Sequence, residues 1–542
     1  MKKYKTLLVS LILVALTGCN SPAATRTLVI KQKMDLSTIE KTTIEKHYYD
    51  LPGRASMPAA GNLKFAVIPI WFADSSTEQF YVGTSGYLEP MSPMNRYEFR
   101  HNIDKAFFGT PEEVGWNSVK SFYETESGGA LTISGKTSYW YECPLPSTEY
   151  YDRQADRSKQ IQLMKDAVEF FFETNPDEVR TDYDSDQDGY LDYCCFIYAA
   201  PNYNFSQKDD AKNMWAYRSS VQNSSLCNVT KPGLNNYFWA SCDFVWYNYG
   251  PYHTLSTEVL IHETGHGFGI MDYYDYNYLY SPAGCFTMQD YNVCGHDPFS
   301  VMSIGWCDPY IPTETTRIQI GAFQKNHDLI LLTPEWNSLN SAFDEYLLLE
   351  LYTSTGLNEF HDENGRWIAR NMQDRHFVDS EVGIRLWHVD ARLTYQYDDW
   401  QTHMMRWSKD LTNDPSAYNA TEAMSNTYYV EGGAENDRCS RLGSDYYDYN
   451  LLELIQCSAW MSAPQSRGDT TLYLYREGTG FTLGENQNIT IDDVRYDVYR
   501  PTSYFKNNGK LNSGLDLGWS FVVESIEGTG DDAVATIVLI KD

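Results

Sequence analysis

Apolar positions along the chain fall into two regimes. The first strong run is Phe65-Ala66-Val67-Ile68-Pro69-Ile70-Trp71-Phe72. It is nearly continuous, the pattern of a strand buried on both faces. Pro69 lacks the N–H that a ladder needs, which points to an edge or a bulge. Phe99, Ile103 and Phe107 recur at helical spacing within Tyr97 to Phe108, and Gly109 stands where such a helix would end. Asn117 to Glu126 reads as a second helix and Leu131 to Ile133 as a strand. Ile161, Met164, Val168 and Phe171 form another helical stripe, and Tyr193 to Ala199 is strand-like. Strands alternating with helices predict an α/β layer. After about residue 315 short strand-like runs dominate: Asp328 to Thr333, Glu345 to Tyr352, Val382 to Val389, Thr471 to Tyr475, Phe521 to Glu527 and Ala533 to Ile540. The expectation is an α+β chain, with an α/β domain over residues 61–315 and a β-rich, sandwich-like region over 316–542.

The N-terminus changes the picture of where the chain works. Lys2, Lys3 and Lys5 precede an apolar run from Thr6 to Leu16, too short for a comfortable membrane span. Leu16-Thr17-Gly18-Cys19 resembles a bacterial lipobox, with Cys19 as the lipidated first residue of the mature chain. Residues 1–18 then read as a lipoprotein signal peptide and 19–60, polar and irregular, as a tether or short pro-segment. The expected location is the cell surface, on the outer side of a bacterial membrane, or outside the cell.

Composition narrows the partners. Lys plus Arg number 42 against 73 Asp plus Glu, a net charge of −31, which repels phosphate backbones and excludes nucleic acid as the expected ligand. Apart from Cys19 there are ten cysteines, an even number compatible with disulfides outside the cytoplasm. None has the CxxC spacing of a cysteine metal site.

The chemistry lies at His262-Glu263-Thr264-Gly265-His266. On a helix, His262 and His266 share one face and can ligate one Zn²⁺, with Glu263 beside the metal as general base. Leu255, Val259, His262 and His266 continue one stripe, and Thr254 or Ser256 could cap the helix. Gly269 suits a left-handed turn that ends it. Asp272 then returns as a third ligand, where metzincins place a His; otherwise Asp272 or Asp275 braces the turn. Met288 is a candidate Met-turn residue as well as an ordinary core Met. Tyr291 or His296 could serve as oxyanion donors, though a structural role fits each.

A second motif is Asp184-Ser185-Asp186-Gln187-Asp188-Gly189-Tyr190-Leu191-Asp192. Asp184, Asp186, Asp188 and Asp192 with Gly189 at the turn form a candidate Ca²⁺ loop, although position 12 is Cys195 rather than Glu. The alternative is an acidic turn. His388 shares a strand face with Leu386 and reads as a satisfied structural histidine.

The stretch from His262 through Asp275 resembles the secreted bacterial metallopeptidases of the immune inhibitor A family. Ser118 to Tyr123, Leu131 to Gly135, Phe286 to Asp290 with Ile304-Gly305-Trp306, and Gly383 to Asp390 agree with that resemblance in order. It implies a zincin/metzincin-like catalytic domain, a protein or peptide substrate, and zinc metalloendopeptidase activity. Two departures stand out: Ile270-Met271 replaces the family's usual Leu-Pro, and residues 20–60 are short for a prodomain. The rival expectation is a catalytically inactive surface binding or adhesion protein on the same scaffold.

Overall fold

The computed structural model describes residues 25–542 except 52–55, 77–80, 83–88, 91–94, 151–156, 202–214, 246–254, 275–281, 285, 360–381, 400–403, 408–410, 417–420, 424–449, 458–472, 486–487, 503 and 506. Cys19, Thr254 and Asp275 lie outside the described residues. The fold is a mixed α+β arrangement built on several sheets.

One sheet positions the site. Its strands run in the order Leu131–Thr137, Gly61–Trp71, Tyr193–Tyr198, Asn236–Ser241 and Tyr217–Ser220, with Tyr141–Glu142 also on the Gly61–Trp71 strand. All neighbours are parallel except Tyr217–Ser220, which is antiparallel. Both faces are covered. Leu63, Phe65, Val67, Tyr193, Cys195 and Ile197 face the helices Arg96–Phe108, Val119–Glu126 and Glu258–Gly267. Ala66, Ile68, Ile70, Cys194 and Phe196 face the helix Arg157–Thr174 through its Leu163, Met164, Val168 and Phe171. Burial on two sides explains the continuous apolar runs.

Pro69 corrects the expectation of an edge or bulge, because its strand is central. Pairing with Leu131–Thr137 stops at Val67, and pairing with Tyr141–Glu142 begins at Ile70. Pro69 stands in the gap between them, where a missing N–H removes no ladder bond.

The β-rich region holds a four-stranded sheet (Leu329–Leu332, Glu345–Thr353, Val382–Asp390, Leu452–Leu454) and an eight-stranded one. They share a core that includes Leu347, Leu349, Leu351, Ile384, Leu386, Phe521, Val523, Ile537 and Leu539. The alternate residues Tyr346, Leu348, Tyr352, Trp387 and Val389 join the core of the site-bearing region. The four-stranded sheet is therefore a wall common to both cores. At about 1.5–3 kcal/mol for each large apolar side chain it buries, neither side is expected to stand without the other.

The described parts of residues 25–60 are more ordered than the expected tether. Thr25–Leu28 pairs with Asn488–Ile491 and Lys33–Asp35 with Arg317–Gln319, the outer strands of the eight-stranded sheet. Arg317 donates to the Ile30 carbonyl and pairs with Asp492 and Glu524, fixing the segment between. The segment covers strand edges that would otherwise be open templates for pairing. Farther on, the N–H of Met57 donates to the Gly267 carbonyl at 2.8 Å.

Among the described residues the cysteines form no disulfide, and Cys285 and Cys439 lie outside them. The eight described cysteines are all free. Cys194 and Cys195 point to opposite faces of their strand, as period-2 geometry requires, and each is sealed in a different core.

Candidate metal centre

The helix Glu258–Gly267 carries His262 and His266 on one face. Thr257, not Ser256, holds the cap position: its hydroxyl donates to the Asn117 carbonyl, and Ser256 Oγ has no partner. Gly269 takes φ 97°, the left-handed conformation that turns the chain back. That turn brings Asp272 to both histidines. Asp272 Oδ1 stands 3.0 Å from His262 Nε2 and 3.1 Å from His266 Nε2, and the two Nε2 atoms are 3.1 Å apart. Three ligands of a tetrahedral ion held at about 2.0 Å lie about 3.3 Å from one another, so a small outward relaxation makes room for Zn²⁺. The donor set, two imidazoles and one carboxylate, also suits zinc.

The outer atoms of the ligands are committed. The N–H of His262 Nδ1 donates to the Met288 carbonyl at 3.0 Å, and that of His266 Nδ1 to the Ile270 carbonyl at 2.7 Å. Both imidazoles therefore carry their proton on Nδ1 and keep a lone pair on Nε2, the tautomer a metal needs. Without a cation, a proton takes its place. Burial alone would lower the pKa of His266, but Asp272 outweighs it and pushes it up to about 9. Burial would raise the Asp272 carboxyl, yet the imidazolium beside it holds it well below the usual carboxylate range.

Glu263 lies on the same helix and is buried. Burial raises its carboxyl above the ordinary value, while His266, His262 and the backbone N–H of Arg218 pull it part of the way back. A carboxylate shifted towards neutrality is suited to taking up and releasing a proton. The helix is braced from two elements: Tyr123 OH donates to the Ile261 carbonyl at 2.6 Å and Tyr193 OH to the Glu263 carbonyl at 3.1 Å.

His296 is not an oxyanion donor. It is buried behind the helix, against Phe122 and Tyr123, with its Nε2 3.3 Å from the Gln289 amide. Burial lowers its pKa to about 3. The same amide reaches His266 Nδ1 at 3.3 Å. Both side chains fit because residue 265 is glycine: a Cβ there would stand 2.6 Å from Gln289 Oε1 and 3.1 Å from His296 Nε2. Met288 is fully buried, and its contribution to the ligands runs through its carbonyl. Tyr291 ends the short helix Met288–Tyr291, half-buried. Sequence reasoning missed Gln289, Tyr123, Tyr193 and Tyr274, whose ring stacks on His262 at 6.3 Å. The one available signal was Gly265, since a glycine inside a helix asks for a packing reason.

In the acidic loop, Asp184, Asp186 and Asp188 each bring a carboxylate oxygen within 4.8 Å of the others. Asp192 departs from expectation. Both its oxygens accept from the Ser185 N–H, at 3.1 and 3.2 Å, and the Ser185 hydroxyl adds a third bond, so it ties the loop instead of joining the cluster. Burial pushes its carboxyl up to about 7. Asp184 accepts from the Gly189 N–H through Oδ2, while its buried Oδ1 has no hydrogen-bond partner. Gly189 takes φ 87°. His388 is a buried histidine satisfied by Glu345 at 2.9 Å, as expected.

Residues 64–290 match the family model of the immune inhibitor A peptidase M6 catalytic domain. The chain is similar to the pre-pro-metalloprotease PrtV of two strains of Vibrio cholerae serotype O1, with 24% identity over 208 residues, covering 34% of this chain and 22% of that relative. The chain thus spans under a quarter of the length of the curated relatives it matches.

Proposed function

Taking residues 64–290 as a catalytic domain of the immune inhibitor A peptidase M6 family, we propose that this chain is an exported zinc metalloendopeptidase. It is anchored by a lipidated Cys19 and cleaves proteins outside the cell. The observation that carries the reading is the convergence of His262, His266 and Asp272 beside a buried Glu263. The arrangement is metzincin-like, with Asp272 in the position of the third histidine and Met288 in the turn beneath. A zinc ion held there would supply a Lewis acid that polarises the scissile carbonyl and acidifies water. Glu263 takes the proton from the water as its oxygen bonds to the carbonyl carbon. As the C–N bond breaks, the same carboxyl delivers that proton to the departing amine. His262 and His266, locked by the Met288 and Ile270 carbonyls, keep their Nε2 atoms aimed at one point.

Calcium belongs to the same reading. A cation among Asp184, Asp186 and Asp188 would satisfy the orphan Asp184 Oδ1 and neutralise three crowded carboxylates. The loop leads directly into Tyr193–Tyr198, whose Tyr193 braces the Glu263 carbonyl, so the role would be structural.

The test is casein hydrolysis with and without chelator. Glu263→Ala should lower turnover by about 10²–10⁴-fold with zinc still bound. Cleavage that survives the substitution removes Glu263 from the mechanism. A zinc-loaded wild type that cleaves nothing favours the inactive binding scaffold.

A further inference from the structure

Resting on the zinc reading, we propose that Gln289 is a positioning residue for the metal. Its side-chain amide carries a buried hydrogen-bond chain from His296 to His266 and holds the His266 imidazole in its ligating tautomer.

Three observations lead there. First, the pair Met288-Gln289 touches the supports of all three ligands. The Met288 backbone carbonyl accepts from His262, the Gln289 side-chain amide lies 3.3 Å from His266 Nδ1, and the Gln289 backbone carbonyl accepts at 2.9 Å from the N–H of Tyr273, the neighbour of Asp272. Second, Gln289 is fully buried and its amide meets polar atoms at both ends, His266 Nδ1 and His296 Nε2, each at 3.3 Å. Third, the helix gives up a side chain at Gly265 to let that amide in.

Donor and acceptor roles then follow. The N–H of His266 Nδ1 already donates to the Ile270 carbonyl at 2.7 Å, so the Gln289 NH₂ cannot donate to the same nitrogen. The two ends of an amide are isosteric. The arrangement that satisfies the amide turns the Gln289 side-chain carbonyl to His266 as a second acceptor and its NH₂ to a bare Nε2 of His296. His296 then carries its proton on Nδ1, which lies 3.9 Å from Glu126 Oε1, beyond hydrogen-bond distance. Glu126 accepts from the His296 backbone N–H at 2.8 Å, fixing the far end of the chain.

The test measures zinc dissociation constants by competition with a chromophoric chelator, together with melting of the metal-free proteins. Gln289→Leu keeps the volume and removes both hydrogen bonds. It should weaken zinc binding by about 10–100-fold, the usual scale for an outer partner of a ligand, with metal-free melting close to wild type. Gln289→Glu keeps an acceptor for His266 and should retain most of the affinity. Wild-type affinity in Gln289→Leu overturns the proposal. Should that variant fail to fold, the tautomers of the zinc-loaded wild type decide by nitrogen NMR: Nδ1–H on both His266 and His296 is expected, and Nε2–H on His296 overturns the assignment. A wild type that binds no zinc overturns the metallopeptidase reading itself, a result separate from either of these.

Discussion

Two places in this chain gather three side-chain ligands each, and they do so on opposite terms. At His262, His266 and Asp272 every imidazole has its outer nitrogen tied to a carbonyl, and the metal-free cluster is neutralised internally by the proton shared between His266 and Asp272. At Asp184, Asp186 and Asp188 three carboxylates lie together, the loop holds itself through its own backbone N–H groups, and one buried oxygen is left over. The first site is preorganised by its surroundings and needs its metal for chemistry. On the proposed reading, the second would use a cation to satisfy its leftover oxygen.

Exchange of ligands breaks the comparison most directly. His262→Ala should reduce proteolysis to background and abolish zinc binding, while leaving any calcium-dependent rise in melting temperature intact. Asp188→Ala should do the reverse for metal binding, removing the calcium response and keeping zinc. If either variant loses both responses, the two sites are one cooperative unit.

The pH dependence of the metal-free chain gives a second contrast. Asp192 is raised to about 7, above its unfolded value of about 3.9, so the folded state holds an extra proton between these limits. Its contribution to stability therefore falls as pH rises from about 4 to 7, by at most about 4 kcal/mol at about 1.4 kcal/mol per unit. His266, raised to about 9, contributes stability that is complete below about pH 6.5 and is lost as pH rises towards 9. Depressed Asp272 contributes above about pH 4, and loses that contribution only in strong acid. Denaturant unfolding in chelator should show Asp192→Asn reducing the pH 4 to 7 decline, to which the buried and raised Glu126 and Asp297 also contribute, and leaving the alkaline one. A variant curve parallel to wild type between pH 4 and 7 would remove Asp192 as a source.

Calcium should act on the same loop with a smaller effect. At free Ca²⁺ of about 100 times its dissociation constant, stabilisation of about 2.7 kcal/mol is expected, read as a melting shift that Asp188→Ala removes. No shift in the wild type leaves the loop an acidic turn.

The sequence revealed what is local. The His262–His266 spacing, the left-handed Gly269 and the return of Asp272 all fall within 11 residues, where helix periodicity and glycine chemistry decide the geometry. It concealed what is assembled from afar. Tyr123 reaches the metal helix across 138 positions, and Ile30 meets Asp492 across 462. Residues 25–35 read as irregular because their strands are short and their partners lie at the other end of the chain. Asp192 was assigned by loop position, but its oxygens were taken by Ser185, a competition that spacing does not register. Pro69 misled for the same reason: the cost of its missing N–H depends on where the neighbouring strand stops.

Glycine offers the finest comparison, because the two clusters use it differently. Gly189 supplies a positive φ in the acidic loop, and a Cβ there would also stand 2.8 Å from Asn228 N. Its replacement by alanine should destabilise on both counts. Gly265 has ordinary helical backbone, and helix propensity alone predicts that Gly265→Ala stabilises by about 1 kcal/mol. Packing predicts the opposite, since the new methyl would press on the Gln289 amide at 2.6 Å and on His296 at 3.1 Å, an overpacking that costs about 1–3 kcal/mol. The net change is expected to be destabilising and small, but it falls on the amide behind His266, so zinc affinity should drop more than stability does. A Gly265→Ala protein that melts higher and binds zinc as tightly as wild type would show that the space behind the metal helix is slack, and that its ligands are held by the helix and the Asp272 turn alone.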